Sequence, residues 1–454
     1  MVVRRVLDPW IGMLVVLGLI LSSLPIMAAP ANLDESLVPA YSLPDPLLDQ
    51  TGKPVRSSAD WRSRRRGEIL DLLARLQYGR TPGGALPGQR FEVTSFDATS
   101  LGGRATRKEV TVWLTGSPQG PRLRLLLYVP NRLAGPRPVF LGLNFFGNHT
   151  VHSDPGIGLA EPFIAFDVDH YRPRPPGQGE TSEQRGVHAS KWQSEEILAR
   201  GYAVATAWCY DLCPDRVEGL DTAVARAFDT GGAEGRAEDA WGAIGVWAWG
   251  LSRAMDYLVS DSALDSRRIV VHGFSRLGKA ALWSGAQDER FAAVVSFESG
   301  CGGAALSKRL YGETIQLIND RFPHWFARSY RAFNDRESGL PFDQHFLLAL
   351  VAPRPLYVAS AEDDRWSDPL GEFLGLAGAE PVYALFGRRG LGLTVPPVVD
   401  RAVMSDSLGY HCRTGKHDVT AFDWARVMEF CERALGLEDV RLARQPPTPS
   451  TGAP

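Results

Sequence analysis

Residues 270–280, Val-Val-His-Gly-Phe-Ser-Arg-Leu-Gly-Lys-Ala, contain the local pattern that is most informative about the fold. A β-branched run ends at Gly273, so the stretch predicts a strand, a sharp turn and a helix. Gly-x-Ser-x-x-Gly departs by one residue from the common Gly-x-Ser-x-Gly of a nucleophile elbow, whose glycines relieve crowding in a strained turn. We therefore predict Ser275 as a nucleophile, with the first N–H groups of the helix facing a developing oxyanion. An ordinary turn with a helix-capping serine is the alternative.

The segments around this stretch alternate between strand and helix patterns. A long apolar helix is predicted over residues 240–259 and a closing helix over 422–435, with strands predicted over 138–145, 202–206, 268–272, 291–297, 355–360 and 408–413. Repeated strand-then-helix order with β-branched strands is typical of a parallel sheet that is covered by helices on both faces. Together with the elbow it predicts the α/β class, as an α/β-hydrolase three-layer αβα sandwich with a mostly parallel central sheet.

A serine nucleophile of this fold needs a histidine that comes later in the chain. His417 lies in the loop after the last predicted strand, where this fold delivers its catalytic histidine, and we favour it. His411 lies within that strand and is the alternative. His324 and His345 are assigned to helices, as packing or surface residues.

The acid partner has two candidates. Glu298 follows the strand that comes directly after the elbow, and Asp364 follows the next one, which is the commoner position for the acid. Either carboxylate could hold the imidazole tautomer and stabilise the imidazolium ion. The neighbouring residues Glu362 and Asp363 weaken the argument for Asp364, because consecutive acidic residues in a loop are usually solvated.

The chain begins with the layout of a secretory signal. Arg4 and Arg5 precede an apolar stretch, and the Ala-Pro-Ala of residues 29–31 supplies a cleavage site, with cleavage after Ala28 as the alternative. We expect export to the periplasm or the exterior and no stable membrane association after cleavage. An uncleaved membrane anchor is the competing interpretation.

Amino-acid composition indicates how the chain is divided into segments, and it argues against a nucleic-acid partner. The predicted segments are a signal peptide at 1–31, an irregular arm at 32–57, a catalytic domain at 58–440 with a surface insertion at about 151–193, and a Pro-rich tail at 441–454. The 49 basic and 52 acidic residues form no basic stripe, so a nucleic-acid partner is not expected.

Of the five cysteines, Cys209 and Cys213 are close enough in sequence to bridge. No Cys/His spacing resembles a zinc site, and neither a metal nor a cofactor is expected.

Several short blocks resemble the bacterial branch of the glucuronoyl esterases of carbohydrate esterase family 15. They cover residues 265–430 well and 60–265 more loosely, and are the stretches 273–280, 298–304 (Glu-Ser-Gly-Cys-Gly-Gly-Ala), 312–314, 364–366 and 415–418. The resemblance implies a triad of Ser275, His417 and Glu298, with Arg276 lining the oxyanion hole. It also implies that three residues bind the hydroxyls of a glucuronate: Lys279, Glu313 and Trp366.

One position departs from the fungal members of that family. They carry a cysteine just before the nucleophile, bridged to a cysteine beside the catalytic histidine, whereas Phe274 stands there in this chain. That bridge therefore cannot form. The pair His411 and Cys412 only superficially mimics the fungal arrangement.

The leading functional hypothesis is hydrolysis of 4-O-methyl-glucuronate esters, as in the lignin–carbohydrate linkages of glucuronoxylan, by a monomer. A second hypothesis keeps the enzyme and changes the substrate to acetylated xylan or another carboxylic ester. The elbow supports both. A third is a non-catalytic polysaccharide-binding protein, against which the complete Ser/Glu/His set argues.

Overall fold

The computed structural model describes residues 31–84, 86–132, 134–160, 166–167, 172–173, 184–228 and 235–437. The predicted signal peptide, apart from its last residue, and the predicted tail lie outside the described residues, as does part of the predicted insertion. No helix in the described part of the chain is long and apolar enough to cross a membrane.

A ten-stranded sheet organises the described residues. Its strands are β1 (Arg90–Asp97), β2 (Ala105–Trp113), β3 (Arg122–Pro130), β4 (Arg137–Asn144), β5 (Ala203–Trp208), β6 (Leu264–Phe274), β7 (Ala293–Phe297), β8 (Leu356–Ala361), β9 (Val403–Met404) and β10 (Leu408–Arg413). The strands lie side by side in the order β1-β2-β3-β5-β4-β6-β7-β8-β10-β9. In this order, neighbouring strands from β5 through β10 are parallel. The strands β1, β2, β3 and β5 pair antiparallel at one edge, and β10 and β9 do so at the other. A two-residue pair, Phe166–Asp167 with Arg172–Pro173, is separate from it.

The first helix, α1, runs through residues 58–78, with α geometry over Ser58–Asp60 and Arg66–Leu73 and π geometry over Trp61–Arg65 and Ala74–Tyr78. The others are α2 (Ala189–Trp192), α3 (Ser194–Ala199), α4 (Ala223–Phe228), α5 (Ala243–Leu258), α6 (Arg276–Gln287), α7 (Ile315–Arg321), α8 (Gln344–Ala349), α9 (Pro369–Leu385) and α10 (Ala421–Ala434). Short 3-10 turns span Glu35–Leu37, Asn148–Thr150, Cys209–Asp211, Val217–Asp221, Ser307–Arg309, Arg328–Phe333, Glu337–Gly339 and Arg365–Ser367.

Two apolar cores, one on each face of the sheet, hold these helices in place. Along β4, Val139 and Leu141 face the core shared with α1, α5 and α6, whereas Phe140 faces the core shared with α3 and α10. This alternation follows from the two-residue period of a strand. The result is the three-layer αβα sandwich that the sequence predicts.

Three local features differ from the sequence prediction or were missed by it. β1 was missed because it is an edge strand, and its Phe91, Val93 and Phe96 are exposed, so it shows no buried face. α9 was missed because it contains several glycines and Pro381, which are poor helix formers. His324 lies in a turn after α7, so its assignment to a helix was wrong.

The five cysteines are all buried free thiols. Cys209 and Cys213 lie one turn apart, where the Cys213 N–H donates to the Cys209 carbonyl at 3.0 Å, and no bridge joins them.

The segment 32–57 crosses the surface and contacts residues far along the chain. The carbonyl of Asn32 accepts from the Gly312 N–H at 2.8 Å, and the Glu35 carboxylate lies 2.7 Å from the Arg309 guanidinium. These contacts fix the segment immediately before Glu313.

Candidate active site

Ser275 occupies the strained turn between β6 and α6. Its backbone has φ 56° and ψ −127°, a conformation that costs a non-glycine residue about 1–3 kcal/mol. Its N–H donates to the Phe297 carbonyl at 2.9 Å, which ties the turn to the next strand. A Cβ on Gly273 would lie 2.0 Å from the Leu277 carbonyl, so only glycine fits there. The turn therefore presents the Ser275 side chain at the carboxyl edge of the sheet, with the unpaired N–H groups of the helix start beside it.

His417 lies at the same edge, in the loop that follows β10. Its Nδ1 is 2.6 Å from Asp364 Oδ2 and 3.1 Å from Glu298 Oε2. Its ring centroid is 4.5 Å from that of Phe274, the residue that precedes Ser275. Because Nδ1 lies between two carboxylates, it carries the proton, and Nε2 is left as the basic nitrogen.

The two acids that contact His417 differ in their surroundings. Burial raises the pKa of Glu298 to about 7, although the hydrogen bond with His417 and the charge of Arg413 act in the opposite direction. Burial would also raise the pKa of Asp364, but the hydrogen bond and charge of His417 hold it below its usual value. Burial would lower the pKa of His417, and the two carboxylates more than offset this and raise it. The structure thus brings both predicted acids to one imidazole.

Arg413, the last residue of β10, connects the acid to the histidine loop, and the sequence analysis missed it. Its Nη2 is 2.8 Å from Glu298 Oε1 and donates to the carbonyls of Lys416 and Asp418 at 2.9 and 2.5 Å. The Asp418 N–H in turn donates to Glu298 Oε2 at 3.0 Å. An arginine at the end of a strand predicted to be buried was the available signal.

The alternative histidine, His411, is fully buried within β10. Its Nδ1 lies 2.7 Å from the Tyr357 hydroxyl and its Nε2 lies 2.8 Å from Asp423 Oδ1. Both ring nitrogens are therefore occupied within the core, and neither faces the edge where Ser275 lies.

Arg276 begins α6 and lies among aromatic rings. Its guanidinium carbon is 4.9 Å from the centroid of the Trp325 ring and 5.5 Å from that of Phe322. It forms an ion pair with Asp215, a residue that the sequence analysis did not single out. No local pattern marks Asp215, because its partners come from distant parts of the chain.

The three residues that the family resemblance assigns to sugar binding lie together. Lys279 is buried and its Nζ donates to the Ser299 carbonyl at 2.5 Å. Burial lowers the pKa of Lys279 and raises that of Glu313, and the charge of each opposes the shift of the other. The Glu313 N–H donates to the Trp366 carbonyl at 2.9 Å, and Trp366 is 37% exposed. The cluster combines a buried cation, a buried acid and a partly exposed flat apolar ring.

One group of acidic and histidine side chains in the described residues is compact enough to hold a metal ion. It consists of Glu298, Asp364 and His417, whose ligand atoms lie within 4.8 Å of one another. The shared nitrogen, Nδ1, already donates to both carboxylates. The close approach of these groups is therefore explained by hydrogen bonding.

A serine on a strained strand-to-helix turn of a mostly parallel sheet, with a histidine and acids at the same edge, defines the α/β-hydrolase class. The family model "Glucuronyl esterase, fungi" matches residues 236–387. A carbohydrate esterase from an unknown prokaryotic organism is 44% identical over 414 residues, which is 89% of this chain and 92% of that protein. The solved glucuronoyl esterase of Solibacter usitatus is 47% identical with a TM-score of 0.82, over 88% of this chain and 99% of that one.

A third relative, the 4-O-methyl-glucuronoyl methylesterase of Phanerochaete carnosa, is 29% identical over 394 residues, 82% of each protein. The chain belongs to the glucuronoyl esterases of carbohydrate esterase family 15, as its sequence blocks indicate. It is accordingly a carboxylic ester hydrolase.

Proposed function

We propose that this esterase hydrolyses esters of 4-O-methyl-glucuronate, as in the lignin–carbohydrate linkages of glucuronoxylan. The cluster of Lys279, Glu313 and Trp366 beside the elbow carries the proposal. The ammonium group and the carboxylate can bind sugar hydroxyls, and the half-exposed indole can stack on a pyranose ring. The name of the Phanerochaete carnosa relative supports the same substrate class.

In the proposed reaction, Ser275 Oγ attacks the uronoyl carbonyl carbon while its proton passes to His417 Nε2. The carbonyl oxygen becomes an oxyanion, which the Arg276 guanidinium and the N–H groups at the start of α6 stabilise. The tetrahedral intermediate then expels the alcohol, which takes the proton from His417, and an acyl-enzyme remains. Water attacks the acyl carbon in the same way, releases the glucuronate and returns the proton to Ser275.

Both acids have a role in this proposal. Glu298 and Asp364 accept from the same Nδ1–H, so each fixes the tautomer of His417 and each stabilises the imidazolium ion. Glu298 completes the Ser-His-Glu triad, and Asp364 supports it.

We also propose that residues 1–31 direct export and are removed, that residues 58–440 form the catalytic domain, and that the enzyme acts as a monomer in the periplasm or outside the cell. The basic start and the Ala-Pro-Ala site support export.

The test measures the acid released from benzyl glucuronate and from 4-nitrophenyl acetate by the mature chain and by Ser275→Ala. We expect a strong preference for the glucuronate and no turnover by the variant. Preference for acetate would leave an esterase but refute the uronate pocket. Equal rates for wild type and variant would refute Ser275 as the nucleophile.

A further inference from the structure

Asp215 lies beyond β5, in none of the strands or helices, and takes no part in the reaction described above. Its side chain is 9% exposed and its carboxylate has three partners from two other regions. Oδ2 pairs with Nη1 of Arg276, while Oδ1 accepts from His324 Nε2 at 2.8 Å and from Trp325 Nε1 at 2.7 Å. The carboxylate is thus held from both sides.

This buried carboxylate is ionised at neutral pH. Burial would raise the pKa of Asp215, but the charge of Arg276 and the hydrogen bonds from His324 and Trp325 keep it below its usual range. A buried anion that pairs with a single guanidinium restricts that guanidinium strongly, because the ion pair is little screened by solvent.

Aromatic rings contact the flat face of the Arg276 guanidinium, in addition to the ion pair that Asp215 makes with Nη1. The guanidinium lies over the rings of Trp325, Phe322 and Phe145 at 4.9, 5.5 and 5.7 Å. Because Asp215 also accepts from the Trp325 indole, one carboxylate orients both the Arg276 cation and the ring on which it stacks. Asp215 engages Nη1, and Arg276 Nε has no hydrogen-bond partner among the described residues. The contact with Asp215 thus uses only part of the donor capacity of the guanidinium, which carries five N–H groups.

We propose that Asp215 is a positioning residue of this esterase: it holds the Arg276 guanidinium and the Trp325 ring beneath it where the oxyanion develops. Asp215 touches neither the substrate nor the reacting atoms, and it acts through Arg276. The inference rests on the oxyanion role proposed for Arg276 above.

The proposal predicts a selective kinetic effect. An oxyanion contact is made in the transition state and not with the ground-state ester, so loosening Arg276 should lower kcat and leave KM nearly unchanged. Asp215→Asn keeps the shape of the side chain and an acceptor oxygen but removes the charge. We expect about a 10- to 100-fold loss of kcat on benzyl glucuronate with KM within about 3-fold, smaller than the loss on removing an oxyanion donor outright.

A double-mutant cycle separates positioning from general support of the fold. Asp215→Asn, Arg276→Met and the double variant are assayed on benzyl glucuronate, and their thermal unfolding midpoints are recorded. If Asp215 acts through Arg276, the double variant has the kcat of Arg276→Met within about 3-fold. Losses that multiply would overturn the proposal, and so would an unchanged kcat in Asp215→Asn.

The same variants distinguish a failure of the oxyanion role of Arg276 from a failure of the positioning role of Asp215. If Arg276→Met keeps full kcat, the oxyanion role of Arg276 in the proposed function is refuted, and this inference with it. If Arg276→Met is impaired and Asp215→Asn acts independently of it, only the positioning role is refuted. Should Asp215→Asn fail to fold, the cycle is run with Asp215→Glu, which keeps the charge and displaces it; independent losses would again contradict the proposal.

Discussion

The two sides of Ser275 are built differently. On the acid–base side, consisting of His417, Glu298, Asp364 and Arg413, one imidazole nitrogen has two carboxylates within 3.1 Å. Arg413 also binds one of these acids and the backbone of the histidine loop. The contact to the imidazole is therefore made by two carboxylates, whereas the imidazole itself has no second copy.

On the cation side, consisting of Arg276, Lys279, Glu313 and Trp366, Arg276 has one carboxylate partner, Asp215. Lys279 likewise donates to one carbonyl. Removal of one acid should therefore be partly compensated, whereas removal of one cation should not. Four sets of variants test that difference, and their expected effects decrease in the order given.

The largest effect is expected for His417, which has no substitute on the acid–base side. His417→Ala should lose about 10⁴- to 10⁶-fold in kcat, because neither proton transfer remains catalysed. The matched control is His411→Gln, which should keep kcat within about 5-fold, since His411 is hydrogen-bonded to Tyr357 and Asp423 in the core. Steady-state assays on benzyl glucuronate decide this; the reverse ranking would transfer the role to His411.

The two acids give the next largest effect, and they test the redundancy directly. Glu298→Gln and Asp364→Asn should each lower kcat about 10- to 100-fold, while the double variant should lose about 10⁴-fold, as when a sole triad acid is removed. The kcat values of all three variants are compared with wild type. A single variant as impaired as the double would identify that acid as the only one in use.

Substitution of Lys279 tests whether the cation side contacts the sugar of the substrate. Lys279→Met should lower kcat/KM on benzyl glucuronate about 10- to 100-fold, the effect of losing a charged hydrogen bond. Activity on 4-nitrophenyl acetate, which has no sugar hydroxyls, is the internal control and should stay within about 3-fold. An equal loss on both esters would mean that Lys279 supports the elbow and not the sugar.

The smallest effect is a shift along the pH axis. The two carboxylates raise the pKa of His417, so the rising limb of kcat/KM should lie above pH 6.5, the ordinary value for histidine. Asp364→Asn removes one negative charge, which makes the imidazolium less stable and should move the limb about one unit toward lower pH. A pH–rate profile of both proteins measures this. An unmoved limb would show that Asp364 exerts no charge effect on the base.

The features that could be predicted from the sequence are those that depend on residues close together in the chain. The turn at Ser275 follows from glycines within a few residues, and the parallel strands follow from buried β-branched runs. The convergence of Glu298, Asp364 and His417 follows because the carboxyl ends of parallel strands meet at one edge. Their chemical roles remain predictions.

What the sequence could not reveal depends on contacts between distant segments. Asp215 meets Arg276 across 61 residues and Trp325 across 110, so no spacing marks it. Arg413 was visible as a charge at the end of a buried strand, but its contact with Glu298 spans 115 residues. The sequence also left His411 and His417 as alternatives, because a single residue type at one strand end does not reveal which side chain faces the core.

The arm at residues 32–57 is joined to the rest of the protein by contacts between residues that are far apart in the chain. During synthesis its Glu35 emerges 274 residues before its partner Arg309. The arm therefore cannot dock before the segment around Arg309 has been made, and its contact with Arg309 closes a loop of 274 residues. Since Asn32 holds Gly312, the residue next to Glu313, docking of the arm also fixes the backbone beside the cluster of Lys279, Glu313 and Trp366.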